Sequence, residues 1–268
     1  MPASPVLRLS AFGAVMEIDC ADPTARLACL NALPAYWQPA DGVAPDVRFT
    51  LTVSDPTQDS APRFLLVEDG TRLGDGVTTA QLAALLAQRM DYQLGAFARD
   101  CAFIHAGVVL YQGHAILLPG PSRAGKSTLT AALVRAGATY VSDDVAVLDR
   151  EGRARLLTRP LTLRADMAGA DALPGTTDAA LLRAGTVPLG AVLALAYRDG
   201  ATPVDLRPLS AGEAVLRLVA HAMNGRHQPE VVLASCGAAV LPAWCAQGER
   251  GEADAAARQI LVHCQKCE

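Results

Sequence analysis

Gly120-Pro121-Ser122-Arg123-Ala124-Gly125-Lys126-Ser127, with Thr128 following, is the stretch on which the reading of this chain turns. It fits G-x-x-x-x-G-K-[ST], and each fixed position has a chemical reason. Glycine lets the backbone turn tightly, so that successive N–H groups can face phosphate oxygens. A helix beginning at the end of the loop adds unpaired N–H groups and the positive end of its dipole. Lys126 is placed to reach the β- and γ-phosphates, and the Ser127 hydroxyl to ligate Mg²⁺. The flanks agree. An apolar run at 115–118 reads as the strand feeding the loop, and Leu129, Ala132, Leu133 and Ala136 form a helical stripe that Gly137 can cap. Gly120, Ser122, Arg123, Ala124, Gly125, Lys126, Ser127 and Thr128 are therefore the expected nucleotide-binding residues. The chain has 23 Lys plus Arg but only two lysines, Lys126 and Lys266. A sequence that otherwise prefers arginine puts a lysine where a compact ammonium on a flexible stem suits a phosphate.

Working outward, Tyr140-Val141-Ser142-Asp143-Asp144 lies one helix beyond the loop. A phosphoryl-transfer site needs a carboxylate for Mg²⁺ and a second to accept the proton of an attacking hydroxyl. Neighbours in a regular strand point to opposite faces, so both can serve only where the strand ends or kinks. Upstream, His105 sits in Ile104-His105-Ala106-Gly107, one strand before the loop strand, where an imidazole could act as a pH-sensitive charge.

The rest of the chain reads in the same local terms. Residues 47–53 alternate apolar and polar like a half-buried strand, 64–67 is a second strand, and Asp69-Gly70 is a turn. Leu82, Leu85, Leu86, Met90, Leu94 and Phe97 share a helix face over 78–98. Residues 103–110 and 114–118 form a hairpin about Gln112-Gly113, and 187–197 is β-like. Ser210-Ala211-Gly212-Glu213 is a capping box opening a helix expected to run through Met223, which would put His221 and Asn224 on one helical face. A last helix carries Ala257, Ile260, Leu261 and Cys264.

Composition narrows the partners. With 268 residues, 51% hydrophobic and 19% charged, the chain can bury a large core. A net charge of −4 does not recruit nucleic acid or an anionic membrane, and no apolar run reaches membrane-spanning length. The N-terminus has no signal-peptide pattern, and seven scattered cysteines suit reduced thiols, so a cytoplasmic location is expected. Cys264-Gln265-Lys266-Cys267 has no second cysteine pair to complete a zinc site and reads as a frayed tail.

Read together, Ile104-His105-Ala106-Gly107-Val108, the glycine loop with its helix, and Tyr140-Val141-Ser142-Asp143-Asp144 resemble the catalytic core of the HPr kinase/phosphorylase family. The resemblance covers about residues 101–149. It implies an α/β fold, the P-loop variant shared with phosphoenolpyruvate carboxykinases, over 88–268, behind a β-rich accessory region at 1–87. It implies His105, Lys126 and Asp143 as catalytic residues, Asp143 activating the acceptor hydroxyl, and Ser127 and Asp144 at the metal. It implies ATP, or GTP, with Mg²⁺ and a serine of a peptide or protein as acceptor, and admits a homo-oligomer. The glutamate and glycine-rich Arg-Gly-Leu-Gly segment of the true HPr kinases have no counterpart here. Arg159-Pro160-Leu161-Thr162-Leu163-Arg164, Pro188-Leu189-Gly190 and His221-Ala222-Met223-Asn224 are more similar to shorter HPr-kinase-related proteins, among them kinases that phosphorylate lasso peptide precursors. Arg159 or Arg164 is a candidate for charge at the transition state. A small-molecule hydroxyl kinase and a non-catalytic nucleotide-binding regulatory module remain open alternatives.

Overall fold

The computed structural model describes residues 6–33, 36–40, 42–55, 61–121, 124–156, 185–201 and 204–265. The fold is mixed α/β, with two mixed sheets and, among the described residues, six helices. The chain divides into two compact units, Met1–Arg99 and Asp100–Glu268. The boundary expected at 87/88 falls inside a helix of the first unit, because that helix packs on the first unit's sheet.

In the first unit the sheet runs β3-β1-β2-β4-β5-β6. Its strands are β1 (Val6–Ala11), β2 (Ala14–Asp19), β3 (Gln38–Pro39), β4 (Val47–Asp55), β5 (Arg63–Glu68) and β6 (Thr71–Val77). Only β2 and β4 pair in parallel. The period-two pattern does its work here: Phe49, Leu51, Phe64 and Leu66 point inward and are fully covered. Helices α1 (Pro23–Ala32) and α2 (Thr79–Phe97) supply the other half of the core, with Leu82, Leu86, Met90 and Leu94 buried. The Thr78 and Gln81 capping box starts α2.

The second unit holds β7 (Cys101–Tyr111), β8 (His114–Pro119), α3 (Lys126–Arg135), β9 (Thr139–Ser142), β10 (Val145–Asp149), β11 (Ala154–Arg155), β12 (Thr186–Val187) and β13 (Leu189–Tyr197). It continues with β14 (Val204–Pro208), α4 (Ala211–Val219), α5 (Pro229–Val240), β15 (Trp244–Arg250) and α6 (Ala253–Cys264). The sheet order is β12-β11-β10-β7-β8-β13-β15-β14, with β9 also paired to β7. β8, β13 and β15 are parallel, so their carboxyl ends lie together. Side-chain alternation sorts two apolar layers. Ile116, Leu118, Ala191 and Leu193 meet α3 and α6, whereas Ala115, Leu117 and Val192 meet α4 and α5.

Helix α4 stops at Val219 rather than continuing to Met223. The chain leaves the helix to pair with β7: the Met223 N–H donates to the Phe103 carbonyl at 2.7 Å, and Ala222 bridges to Ile104. The buried Asn224 amide completes this edge, accepting from the Phe103 N–H at 3.1 Å and donating to the Cys101 carbonyl at 2.8 Å. Asn224 therefore pins β7 and does not share a helical face with His221. Among the described residues no helix is long and apolar enough to cross a membrane.

Candidate active site

The glycine loop leaves β8 at Pro119 and enters α3 at Lys126, as its sequence demands. Gly125 occupies the N-cap of α3 with φ +81°, a left-handed conformation open to glycine at little cost. A buried arginine holds it there. Arg250, 3% exposed at the end of β15, donates from Nη2 to the Gly125 carbonyl at 3.0 Å and from Nη1 to the Gly251 carbonyl at 2.9 Å. A Cβ at position 125 would stand 2.4 Å from that Nη2. The requirement for glycine is therefore both conformational and steric. Ser127 and Thr128 are half-buried in the first turn of α3. Ser122 and Arg123 lie outside the described residues, as do Arg159 and Arg164.

Lys126 points into the molecule. Its ammonium donates to the carbonyls of Gly120 at 2.8 Å and Pro121 at 2.9 Å, and to His105 Nε2 at 3.0 Å. Because Lys126 donates to Nε2, the neutral imidazole carries its proton on Nδ1. That Nδ1–H faces the Asp144 carbonyl at 2.9 Å and the Asp144 carboxylate at 3.0 Å. A chain Asp144–His105–Lys126 results, built from three segments far apart in sequence. Burial pushes the Lys126 pKa down, and the charges of Asp144 and Asp143 offset this in part. Among the described residues no carboxylate bonds the ammonium directly, so it lacks a close counter-ion.

The acidic pair sits at a break in the strand. β9 ends at Ser142 and β10 begins at Val145, and both pair with β7, Ser142 opposite Val108 and Val145 opposite His105. The Ser142 hydroxyl accepts the N–H groups of Asp144 at 3.3 Å and Val145 at 3.1 Å, fixing the kink. The two carboxylates consequently have different surroundings. Asp144 is exposed and bound to His105, whereas Asp143 is buried and accepts from the Tyr140 hydroxyl at 3.2 Å on Oδ1. Among the described residues no donor engages the other oxygen of Asp143. Burial, and then the Asp143 charge, raises the Tyr140 pKa, so that phenol stays a donor.

Gly107, two residues after His105, lets α3 approach the sheet: a Cβ there would lie 2.6 Å from Thr130 Oγ1. His221 reaches the site through its backbone, accepting the His105 N–H at 2.8 Å. Its imidazole lines a cavity of about 490 Å³ at the carboxyl ends of β13 and β15, together with Gly120, Pro121, Arg207, Arg217 and Gln247. Arg250 and Arg217 have no local sequence signal, since each depends on a partner brought in by folding, whereas Tyr140 stands three residues from its partner Asp143. Cys264 ends α6, and the His263 ring stacks on Trp244 at 3.9 Å, which accounts for this histidine without a metal. Cys267 lies outside the described residues.

The residues present fit a polyphosphate with Mg²⁺. The left-handed Gly125 opens the N-terminus of α3, the Lys126 ammonium is short of negative charge, and the Ser127 and Asp144 oxygens stand on the two segments that flank it. Among the described residues no three His, Cys, Asp or Glu side chains cluster as a preformed metal cage. Mg²⁺ bound through phosphates uses only one or two protein ligands. No protein-family model matches this chain, and no curated protein matches it.

Proposed function

We propose that the second unit is a P-loop kinase core of the HPr kinase/phosphoenolpyruvate carboxykinase type, an ATP-dependent phosphotransferase acting on a hydroxyl, with a serine of a peptide or protein as the first candidate acceptor. The observation that carries this reading is the Asp144–His105–Lys126 chain at the start of α3. Three motifs noted separately in the sequence share one site, and the ammonium among them is partly desolvated and, among the described residues, bonded to no carboxylate.

The mechanism follows from the chain's own groups. Lys126 exchanges the Gly120 and Pro121 carbonyls for β- and γ-phosphate oxygens, and the first amides of α3 bind the same charge. His105, its Nδ1–H held by Asp144, keeps the Nε2 lone pair on Lys126 and so fixes where the ammonium stands. Ser127 and Asp144 would hold Mg²⁺, which when bound neutralises charge on the β- and γ-phosphates. The acceptor oxygen attacks the γ-phosphorus in line, the bond to the β,γ-bridging oxygen breaks, and ADP departs with that electron pair. The acceptor proton passes to the unengaged oxygen of Asp143, while Tyr140 steadies the other.

Labelled ATP with serine peptides, serine and sugars tests the proposal. Lys126→Met should abolish ATP binding. Asp143→Asn should still bind ATP but lose about 10²–10⁴-fold in transfer, the usual worth of a general base. Full transfer by Asp143→Asn would refute the role given to Asp143, and ATP binding unchanged in Lys126→Met would refute the site.

A further inference from the structure

The cavity beside the loop has chemistry of its own. Its 490 Å³ opens where the parallel strands β13 and β15 end, the edge at which open α/β sheets bind ligands. Gly120 and Pro121, whose carbonyls hold Lys126, form part of its wall, so it adjoins the end of the loop where Lys126 would meet the γ-phosphate. The volume suits a small metabolite or a peptide segment of a few residues, not a folded surface.

The charges along the wall are unevenly matched. Glu249 is taken by Arg198 at 2.7 Å, and Arg207 by Glu213 at 3.2 Å. Asp205 adds a second carboxylate on the β14 side. Arg217, on the last turn of α4, donates to the neutral Gln247 Oε1 at 2.6 Å and among the described residues meets no carboxylate. A guanidinium has five N–H donors in a planar fork, so most of this one is unused. Burial is the largest cause lowering the pKa of His221 beside it, and the charges of Lys126 and Arg217 lower it further. Lys126 would be matched by the triphosphate. Nothing in the nucleotide reading matches Arg217.

We propose that this cavity holds the phosphoryl acceptor, and that Arg217 with His221 binds a carboxylate or phosphate carried close to the acceptor hydroxyl. The inference rests on the phosphotransferase reading. A small hydroxy acid and an acidic peptide segment present the same chemistry, and the guanidinium fork matches either anion in two-point contact. A neutral nucleobase would leave the fork unmatched.

The test uses the full chain with the non-hydrolysable ATP analogue AMP-PNP and two pairs of probes. Glycerate against glycerol forms the small-molecule arm, and acetyl-Ala-Ser-Asp-amide against acetyl-Ala-Ser-Asn-amide forms the peptide arm. Binding is measured by calorimetry, and transfer from labelled ATP is measured in parallel. In one arm the anionic probe should bind about tenfold or more tighter than its neutral partner, as a charged hydrogen bond warrants. Arg217→Gln should erase that preference, with Arg217→Lys recovering part of it, while affinity for AMP-PNP and the unfolding temperature stay unchanged. The arm that discriminates identifies the source of the anion. Equal binding of both members in both arms would overturn the inference. So would an Arg217→Gln variant that loses AMP-PNP affinity, which would give Arg217 to the nucleotide. Acid-selective binding without any AMP-PNP binding would refute the kinase reading alone.

Discussion

Gly107→Ala tests the packing that carries Lys126 to the site. An added Cβ would meet Thr130 Oγ1 at 2.6 Å and Leu118 Cδ1 at 3.5 Å. Only the first contact is prohibitive, and it is one that α3 must relieve. Carbon contacts settle near 3.5–4.0 Å, so α3 has to retreat by about 1 Å from β7. Overpacking of this kind costs roughly 1–3 kcal/mol, and replacing glycine within a strand returns about 0.5–1 kcal/mol. The net loss should be about 1–2 kcal/mol, or some 2–8 °C in unfolding temperature for a unit of this size. Thr130 is fully buried, and among the described residues its hydroxyl has no hydrogen-bond partner. Thr130→Ala should therefore be close to neutral by itself, because relief of an unsatisfied hydroxyl offsets the lost methyl. In the double variant most of the Gly107→Ala loss should disappear, a coupling of about 1–2 kcal/mol read from thermal unfolding of the four proteins. ATP affinity should fall in Gly107→Ala and recover in the pair, since α3 carries Lys126. Additive losses would show that α3 does not obstruct position 107 and would refute the reasoning.

Three other perturbations probe different parts of the site. Asn224→Ala removes the partner of the Phe103 N–H and of the Cys101 carbonyl in a buried edge, and should cost about 2–6 kcal/mol in denaturant unfolding at roughly 1–3 kcal/mol per stranded group. Gly125→Ala meets both the left-handed backbone, at about 1–2 kcal/mol, and Arg250 Nη2; fluorescence titration should show ATP affinity reduced at least about tenfold. His221 has its pKa held below 6.5, so between that lowered value and 6.5 the unfolded chain binds more protons than the folded one. Stability should therefore rise with pH through that window and level off above it, and His221→Gln should flatten the rise; an identical profile in the variant would assign it elsewhere.

What could be read in the sequence was what is written locally. The capping box at Ser210 and Glu213, the turn at Gln112-Gly113 and the helix that opens at the end of the glycine loop each need only neighbours a few residues away, and all three turn up as drawn. The Asp143-Asp144 break was foreseeable as a condition, because two adjacent carboxylates cannot face one ligand from a straight strand. Errors arose where a distant partner overrules a local preference. Helix α4 ends four residues early because β7 offers hydrogen bonds to residues 222–224. The unit boundary lies beyond α2 because its apolar stripe finds the first sheet. Arg250 is 125 residues from the glycine whose carbonyl it binds, and no periodicity announces such a pair.

That last contact has a bearing on synthesis. The glycine loop emerges from the ribosome well before β15, but the cation that steadies its hinge belongs to that last strand, which must pair with β13 in parallel and β14 in antiparallel before Arg250 can arrive. A nascent chain halted short of residue 250 would carry the whole glycine-loop motif yet lack the strut beneath it. Under the nucleotide reading proposed above, the loop would gain this strut only once β15 has closed, late in the making of the second unit.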